Sequence, residues 1–221
     1  MSKIQATDRS RAILNSIKRR KGVVTTQSYL RLEAVLGAQG QINFDTLINQ
    51  GAANANEKRL AITDAFTITS LAVMIYKTPA ATAISSCSLD TFPNPLTYSA
   101  AGEANALQAI YNGFLTVRVN STIFIDSLDI YRFYRVGVAQ RGLATTTTPA
   151  NYVASSYDRG DYPFYSLTPG IRLSGATKNE LSITLPESVN MAGSGGSINR
   201  VALYLRGFLE QNGARFMSAG K

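Results

Sequence analysis

Proton transfer at neutral pH is most often carried by imidazole, and this sequence contains no histidine. That absence excludes Ser-His-Asp and Cys-His catalysis, HExxH zinc sites and His-ligated metals. The single cysteine, Cys87, can build neither a four-thiolate zinc site nor an intramolecular disulfide, and reads as a small buried hydrophobe. Paired carboxylates remain. Asp126 with Asp129, and Asp158 with Asp161, are spaced for general acid and base work, yet both pairs sit near basic residues in loop or strand-end contexts. Solvation, or bridges to Arg132 or Arg159, account for them more simply. The run Gly193-Ser194-Gly195-Gly196-Ser197 lacks the Lys-Ser/Thr of a phosphate-binding loop and reads as a hairpin connection. Arg159-Gly160-Asp161 spells the tripeptide read by integrins, but a turn rich in Gly and Asp explains it without a receptor. The sequence therefore predicts no catalytic residue, no metal site and no cofactor, and the protein is not expected to be an enzyme.

Residues suited to binding are more conspicuous. Positions 1–21 hold Lys3, Arg9, Arg11, Lys18, Arg19, Arg20 and Lys21 against the single acid Asp8, a net of +6, whereas the other 200 residues carry 15 cations and 13 anions. A nearly neutral body with a cationic end suits an arm for a polyanion. Complementing a helix dipole would explain one or two of the cations Lys18 to Lys21, but hardly all four. The arm is therefore read as a contact for nucleic acid or another polyanion, in preference to a merely solvated basic terminus. A second mixture, Tyr131-Arg132-Phe133-Tyr134-Arg135, could stack bases and hold phosphates. On a strand of period 2, Tyr131, Phe133 and Arg135 would share one face and Arg132 and Tyr134 the other. Packing in the core or at a subunit interface, with the arginines paired across it, is the preferred reading.

The elements that must position these residues follow from periodicity. Thr7 or Asp8 as N-cap, apolar Ile13, Leu14 and Ile17, and Gly22 as C-cap predict a short helix over 8–21. From Val23 to about Arg59 the chain is rich in Gln, Asn, Ala and Gly, with a second helical patch expected at Tyr29 to Leu36 and a surface connection at 49–59. Past Leu60 the period becomes extended. Strands are expected at Phe66 to Tyr76, in a hairpin over Gly113 to Ile125 turning at Asn120-Ser121, and at Ile130 to Val138, Gly170 to Leu173, Glu180 to Leu185 and Arg200 to Leu209. One inserted helix is expected over Gly102 to Asn112, with Ala104, Leu107, Ile110 and Tyr111 inward. The resulting expectation is a mainly β protein: residues 1–59 form a basic helical arm and polar connector, and residues 60–221 an antiparallel β-sandwich of jelly-roll type.

At 45% apolar and only 16% charged residues, the surface must draw its polarity from Ser, Thr, Asn and Gln or give much of itself to protein contacts. No run reaches the roughly 18 to 20 apolar residues of a membrane-spanning helix. No secretory signal opens the chain, so folding in a reducing cytosol is expected.

A cationic arm, a polar connector and a Thr-, Asn- and Ala-rich β body with long loops together resemble the coat proteins of icosahedral viruses. The tract Phe92 to Asn120 and the strands that follow it are similar in character to bacteriophage virion proteins. The resemblance implies a self-assembling capsid subunit, made in a host cytoplasm and resident in the virion. Its partners would be copies of itself, other virion proteins and packaged nucleic acid. A vertex, fibre or host-attachment protein, and a non-viral nucleic-acid-binding module, are the alternatives.

Overall fold

Period-2 alternation governs most of the chain from Val24 onward. The computed structural model describes residues 22–51, 53–79, 89–136 and 163–216, together with Arg11, Ala12, Asn15 and Cys87. Eight strands and a helix follow in order: β1 (Val24–Val35), β2 (Ala38–Phe44), β3 (Ala65–Thr78), α1 (Glu103–Tyr111), β4 (Phe114–Val119), β5 (Thr122–Asp129), β6 (Tyr165–Ser174), β7 (Asn179–Asn190) and β8 (Ile198–Gln211). Short 3₁₀ turns occupy Ile130–Phe133 and Ala214–Phe216. The strands form two antiparallel four-stranded sheets, in the orders β1-β8-β3-β6 and β2-β7-β4-β5.

The two sheets share one hydrophobic core. Leu30 and Leu32 of β1, Ile171 and Leu173 of β6, and Val201, Leu203 and Leu205 of β8 meet Ile42 and Phe44 of β2, Leu115, Val117 and Val119 of β4, and Leu181 and Ile183 of β7. In β4 and β7 the intervening residues Thr116, Arg118, Ser182 and Thr184 point away from it, the ordinary pattern of a half-buried antiparallel strand. The hairpin of β4 and β5 turns at Asn120, which adopts φ +53°, and Ser121, as its sequence predicts.

β3 departs from simple alternation in an instructive way. Phe66 and Ile68 enter the core from even positions, but Leu71, Val73 and Ile75 enter it from odd ones. The register against both neighbours shifts between Ile68 and Ser70, so Thr69 is an extra residue that resets the parity. The Thr69 hydroxyl donates to the Arg206 carbonyl at 3.2 Å. Opposite the bulge stands Gly207, paired with Ile68 on one side and Ser28 on the other. Any Cβ there would collide with the Thr67 carbonyl.

Helix α1 lies between β3 and β4 in the chain and buries Leu107, Ile110 and Tyr111, with Ala104 partly covered, as predicted. It packs on β7 and on the 3₁₀ turn that starts at Ile130.

Three expectations for the elements are corrected. Tyr29 to Leu36 is not helical, and Tyr29 to Val35 belong to β1: Leu30 and Leu32, two residues apart, face the core, while Val35 is exposed. Strands also begin within the stretch read as a connector, because β1 and β2 each contribute to a sheet. The described residues of 49–59 are exposed or half-buried, as a surface connection would be, and are also tied down. Lys58 forms a bridge with Arg31, and the Glu57 carboxylate accepts from the Glu33 and Asn54 amides at 2.8 and 2.6 Å. The third correction concerns Ile130 to Val138: Ile130–Phe133 is a 3₁₀ turn, and Tyr134 to Val136 are irregular. The physical reason is Asp129, whose side chain accepts from the Tyr131 amide at 2.9 Å and so ends β5 with a cap.

Candidate functional site

The predicted interface segment is held by the turn just described. Ile130 and Phe133 are buried, and Tyr131 is 55% exposed. Tyr134 stacks on Tyr131 with ring centroids 5.5 Å apart and meets Tyr111 of α1 edge-on at 5.3 Å. Arg132 lies over the Tyr165 ring at 4.5 Å, and Phe133 meets the same ring edge-on. Arg135 exchanges backbone and side-chain bonds with Thr91: its amide donates to the Thr91 carbonyl, and its own carbonyl accepts from the Thr91 hydroxyl. The expected division into two strand faces is therefore wrong. The buried residues are spaced three apart, as a 3₁₀ turn requires. Exposed Tyr131 is accompanied along β4 and β5 by Phe114, Ile123 and Phe124, each between 45% and 49% exposed. The Asp126–Asp129 pair is not assembled for acid and base work. Asp129 caps the turn, and Asp126 receives the Thr116 hydroxyl on its backbone carbonyl.

Of the predicted arm, Arg11 is exposed with helical backbone, as are Ala12 and Asn15. Lys3, Arg9, Lys18, Arg19, Arg20 and Lys21 lie outside the described residues, as do Asp158, Arg159, Gly160 and Asp161. The root of this segment is placed: Gly22, at φ +77°, accepts from the Arg215 guanidinium through its carbonyl at 3.3 Å. Cys87 is half-buried, and the Gly193 to Ser197 stretch closes as a tight loop, with the Ser197 amide donating to the Ser194 carbonyl at 3.0 Å.

The outer face of the β1-β8-β3-β6 sheet carries charged and aromatic groups that sequence reasoning did not assemble. Cross-strand register sets Tyr29 opposite Arg206 and Arg31 opposite Tyr204. Tyr29 and Tyr204, on the diagonal, stack at 5.2 Å and 20°. Phe164, just ahead of β6, meets Tyr204 edge-on at 5.9 Å, and the Arg206 guanidinium lies 3.5 Å from the Phe164 ring centroid. The Lys58 ammonium sits 4.4 Å over the Tyr29 ring and donates to the Ser28 hydroxyl at 2.9 Å. Beside these rings is an open groove of about 470 Å³, floored by Met74. The clue was present in Tyr204-Leu205-Arg206: with Leu205 in the core, both neighbours must face outward together. Reading Tyr29 as the start of a helix hid its partner.

The buried carboxylates of this face, Glu33 and Glu210, are fully engaged, as is Glu103 on α1. Glu33, 4% exposed, accepts from the Tyr76 hydroxyl at 2.5 Å and pairs with Arg31 at 2.6 Å. Burial, reinforced by the adjacent Glu33, pushes the Tyr76 phenol well above its ordinary value and keeps it protonated. Glu210, wholly buried, is held by Arg172 through two parallel bonds of 3.0 and 2.8 Å and by the Thr67 hydroxyl at 3.0 Å. Glu103 on α1 pairs with Lys77 at 2.8 Å and accepts from the Asn199 amide at 2.9 Å. Burial alone would raise its carboxyl, but Lys77 and Asn199 outweigh that and hold it below the usual range. Asp90 is the exception: burial lifts its carboxyl to about 6, the neighbouring Tyr98 hydroxyl offsetting only part of the effect. Among the described residues no group of three or more Cys, Asp or Glu side chains is gathered as a metal cage. No helix among them is long and apolar enough to cross a membrane.

Comparison with known protein families, with curated proteins and with solved structures returns no match to this chain.

Proposed function

We propose that this protein is a virion structural subunit: a jelly-roll body that assembles with copies of itself into a shell, and a cationic N-terminal arm directed at packaged nucleic acid. The observation that carries the reading is the strand order. β1 pairs with β8, β2 with β7, β3 with β6 and β4 with β5. These are the rungs of one long hairpin, strands 1 to 4 running against 8 to 5. Rolling that ribbon brings β8 beside β3 and β7 beside β4, the remaining pairings found. Two four-stranded sheets in the orders 1-8-3-6 and 2-7-4-5 support the jelly-roll reading.

Fold alone does not assign function, and jelly rolls also serve as lectins and cupins. Three features favour a shell. A chain without histidine offers no imidazole for metal chemistry, and among the described residues the buried carboxylates Glu33, Glu103 and Glu210 are committed to Arg, Lys, Tyr, Thr or amide partners. The β4–β5 edge leaves Phe114, Ile123, Phe124 and Tyr131 uncovered, a liability in a solitary molecule that contact with a sister copy relieves. Six of the eight units of net charge precede β1, so the body can crowd against itself while the arm meets a polyanion. Single-particle imaging of the purified protein tests this. Closed shells are the expected result, a trimer of fixed size would favour an attachment protein instead, and a monomer at all concentrations would refute assembly.

A further inference from the structure

We propose that the groove on the outer face of the β1-β8-β3-β6 sheet is a binding site for a base of single-stranded nucleic acid, with Tyr29 and Tyr204 as the stacking surface and Lys58 and Arg206 as the phosphate contacts. The inference rests on the genome-contact part of the proposed function and gives it a place on the body. At about 470 Å³ the groove falls within the roughly 300 to 1,000 Å³ of small-ligand sites. Its walls combine π faces with cations. Tyr29, 41% exposed, and half-buried Tyr204 line it as a stacked pair; at its margin the Lys58 ammonium lies 4.4 Å over the Tyr29 ring and the Arg206 guanidinium 3.5 Å from the Phe164 ring centroid. No carboxylate lines it. An electropositive, aromatic and acid-free groove selects a flat anion, and a nucleotide is the ligand that joins a π face to a phosphate.

Position supports the same occupant. Gln27 and Tyr29 line the groove only three and five residues after β1 begins at Val24, immediately downstream of the cationic segment. At about 3.3 Å per strand residue, the groove lies within roughly 10 to 17 Å of the arm's root. A strand gripped electrostatically by the arm would present its bases at that distance. The arm would supply salt-sensitive affinity and the groove a preference for unpaired bases, two contributions with different signatures.

The test uses the full chain and a single-stranded oligodeoxynucleotide of about ten residues carrying one 2-aminopurine, with a matched oligonucleotide abasic at that position. Binding is expected to quench the 2-aminopurine, and Tyr204→Ala should weaken it by roughly tenfold. Exposed Tyr29→Ser should act in the same direction, with circular dichroism reporting that the variants remain folded. Replacing Lys18, Arg19, Arg20 and Lys21 by Gln should reduce the salt dependence but keep the preference for the base-bearing oligonucleotide. If normal and abasic oligonucleotides bind alike and both tyrosine variants match the parent, the groove assignment is overturned while the arm's role stands. If neither oligonucleotide binds, both fail. Displacement by a neutral oligosaccharide such as maltoheptaose, and not by a mononucleotide, would assign the groove to a glycan and overturn the proposal.

Discussion

Replacing Gly207 by alanine puts a methyl carbon where the β3 bulge has brought another backbone. That carbon would stand 2.9 Å from the Thr67 carbonyl carbon and 3.2 Å from the Ile68 Cα, and closer still to the Thr67 oxygen. Carbon pairs prefer about 3.5 to 4.0 Å, so β3 and β8 must separate by something near 1 Å. No rotamer change relieves the clash, because every atom involved is main chain in the two central strands of a sheet. Overpacking of this kind costs typically 1–3 kcal/mol, and the rigidity of the site places Gly207→Ala near the top of that range, about 3 kcal/mol. With a urea m-value of roughly 2 to 3 kcal/mol/M for a chain of this size, the midpoint should fall by about 1 M. Gly37→Ala is the control. It meets no heavy atom within 4 Å and has no positive φ, so it should leave stability unchanged or raise it by about 0.4–1 kcal/mol through the unfolded chain. Tyrosine emission can follow both transitions, since the chain has 11 Tyr and no Trp, provided protein concentration is held fixed. A midpoint for Gly207→Ala within about 0.2 M of the parent would refute the argument that the bulge forces the close approach. Loss of soluble protein for Gly207→Ala alone would be the predicted destabilisation in stronger form.

Other expectations concern charge. Arg172→Met removes the two-bond guanidinium partner of the wholly buried Glu210 and should cost about 3–5 kcal/mol in urea unfolding; a loss below 1 kcal/mol would contradict the pairing. Asp90 has a folded-state pKa raised to about 6 from 3.8, so its stabilising contribution is complete below the lower value and is lost as pH rises through the higher one. Asp90→Asn should accordingly gain stability over the parent at pH 7 and lose that advantage by pH 4, measured as urea midpoints at the two values. Replacing the four cations Lys18 to Lys21 by Gln should reduce the magnitude of the salt slope on single-stranded nucleic acid by roughly 3, read from binding isotherms across salt concentrations. An unchanged slope would place the contact elsewhere.

Much of the fold was legible because its strands advertise themselves. β4, β7 and β8 alternate with apolar residues on one face, and α1 presents Leu107, Ile110 and Tyr111 at helical spacing. β1 was obscured because Leu30, Leu32, Val35 and Leu36 satisfy a loose helical template, and only the cross-strand partner β8 decides between the two periods. Ile130 to Phe133 resembles a strand in composition, but the Asp129 cap, a local side-chain bond, overrides that preference. The aromatic groove could not be found in one segment. Tyr29 and Tyr204 are distant in sequence and are joined by the pairing of the first strand with the last, a long-range contact that composition does not encode.

That pairing of first and last strands also determines where cargo could be attached. Val24 stands opposite Gln211, and the Arg215 side chain reaches the Gly22 carbonyl, so a polypeptide grafted after Phe216 would emerge beside the root of the basic arm. The Gly193 to Ser197 loop sits at the other extremity of β8, some 14 residues or about 45 Å away along the strand. If the proposed shell forms with its arms inward, the first graft site would load the lumen, and the second would decorate the exterior.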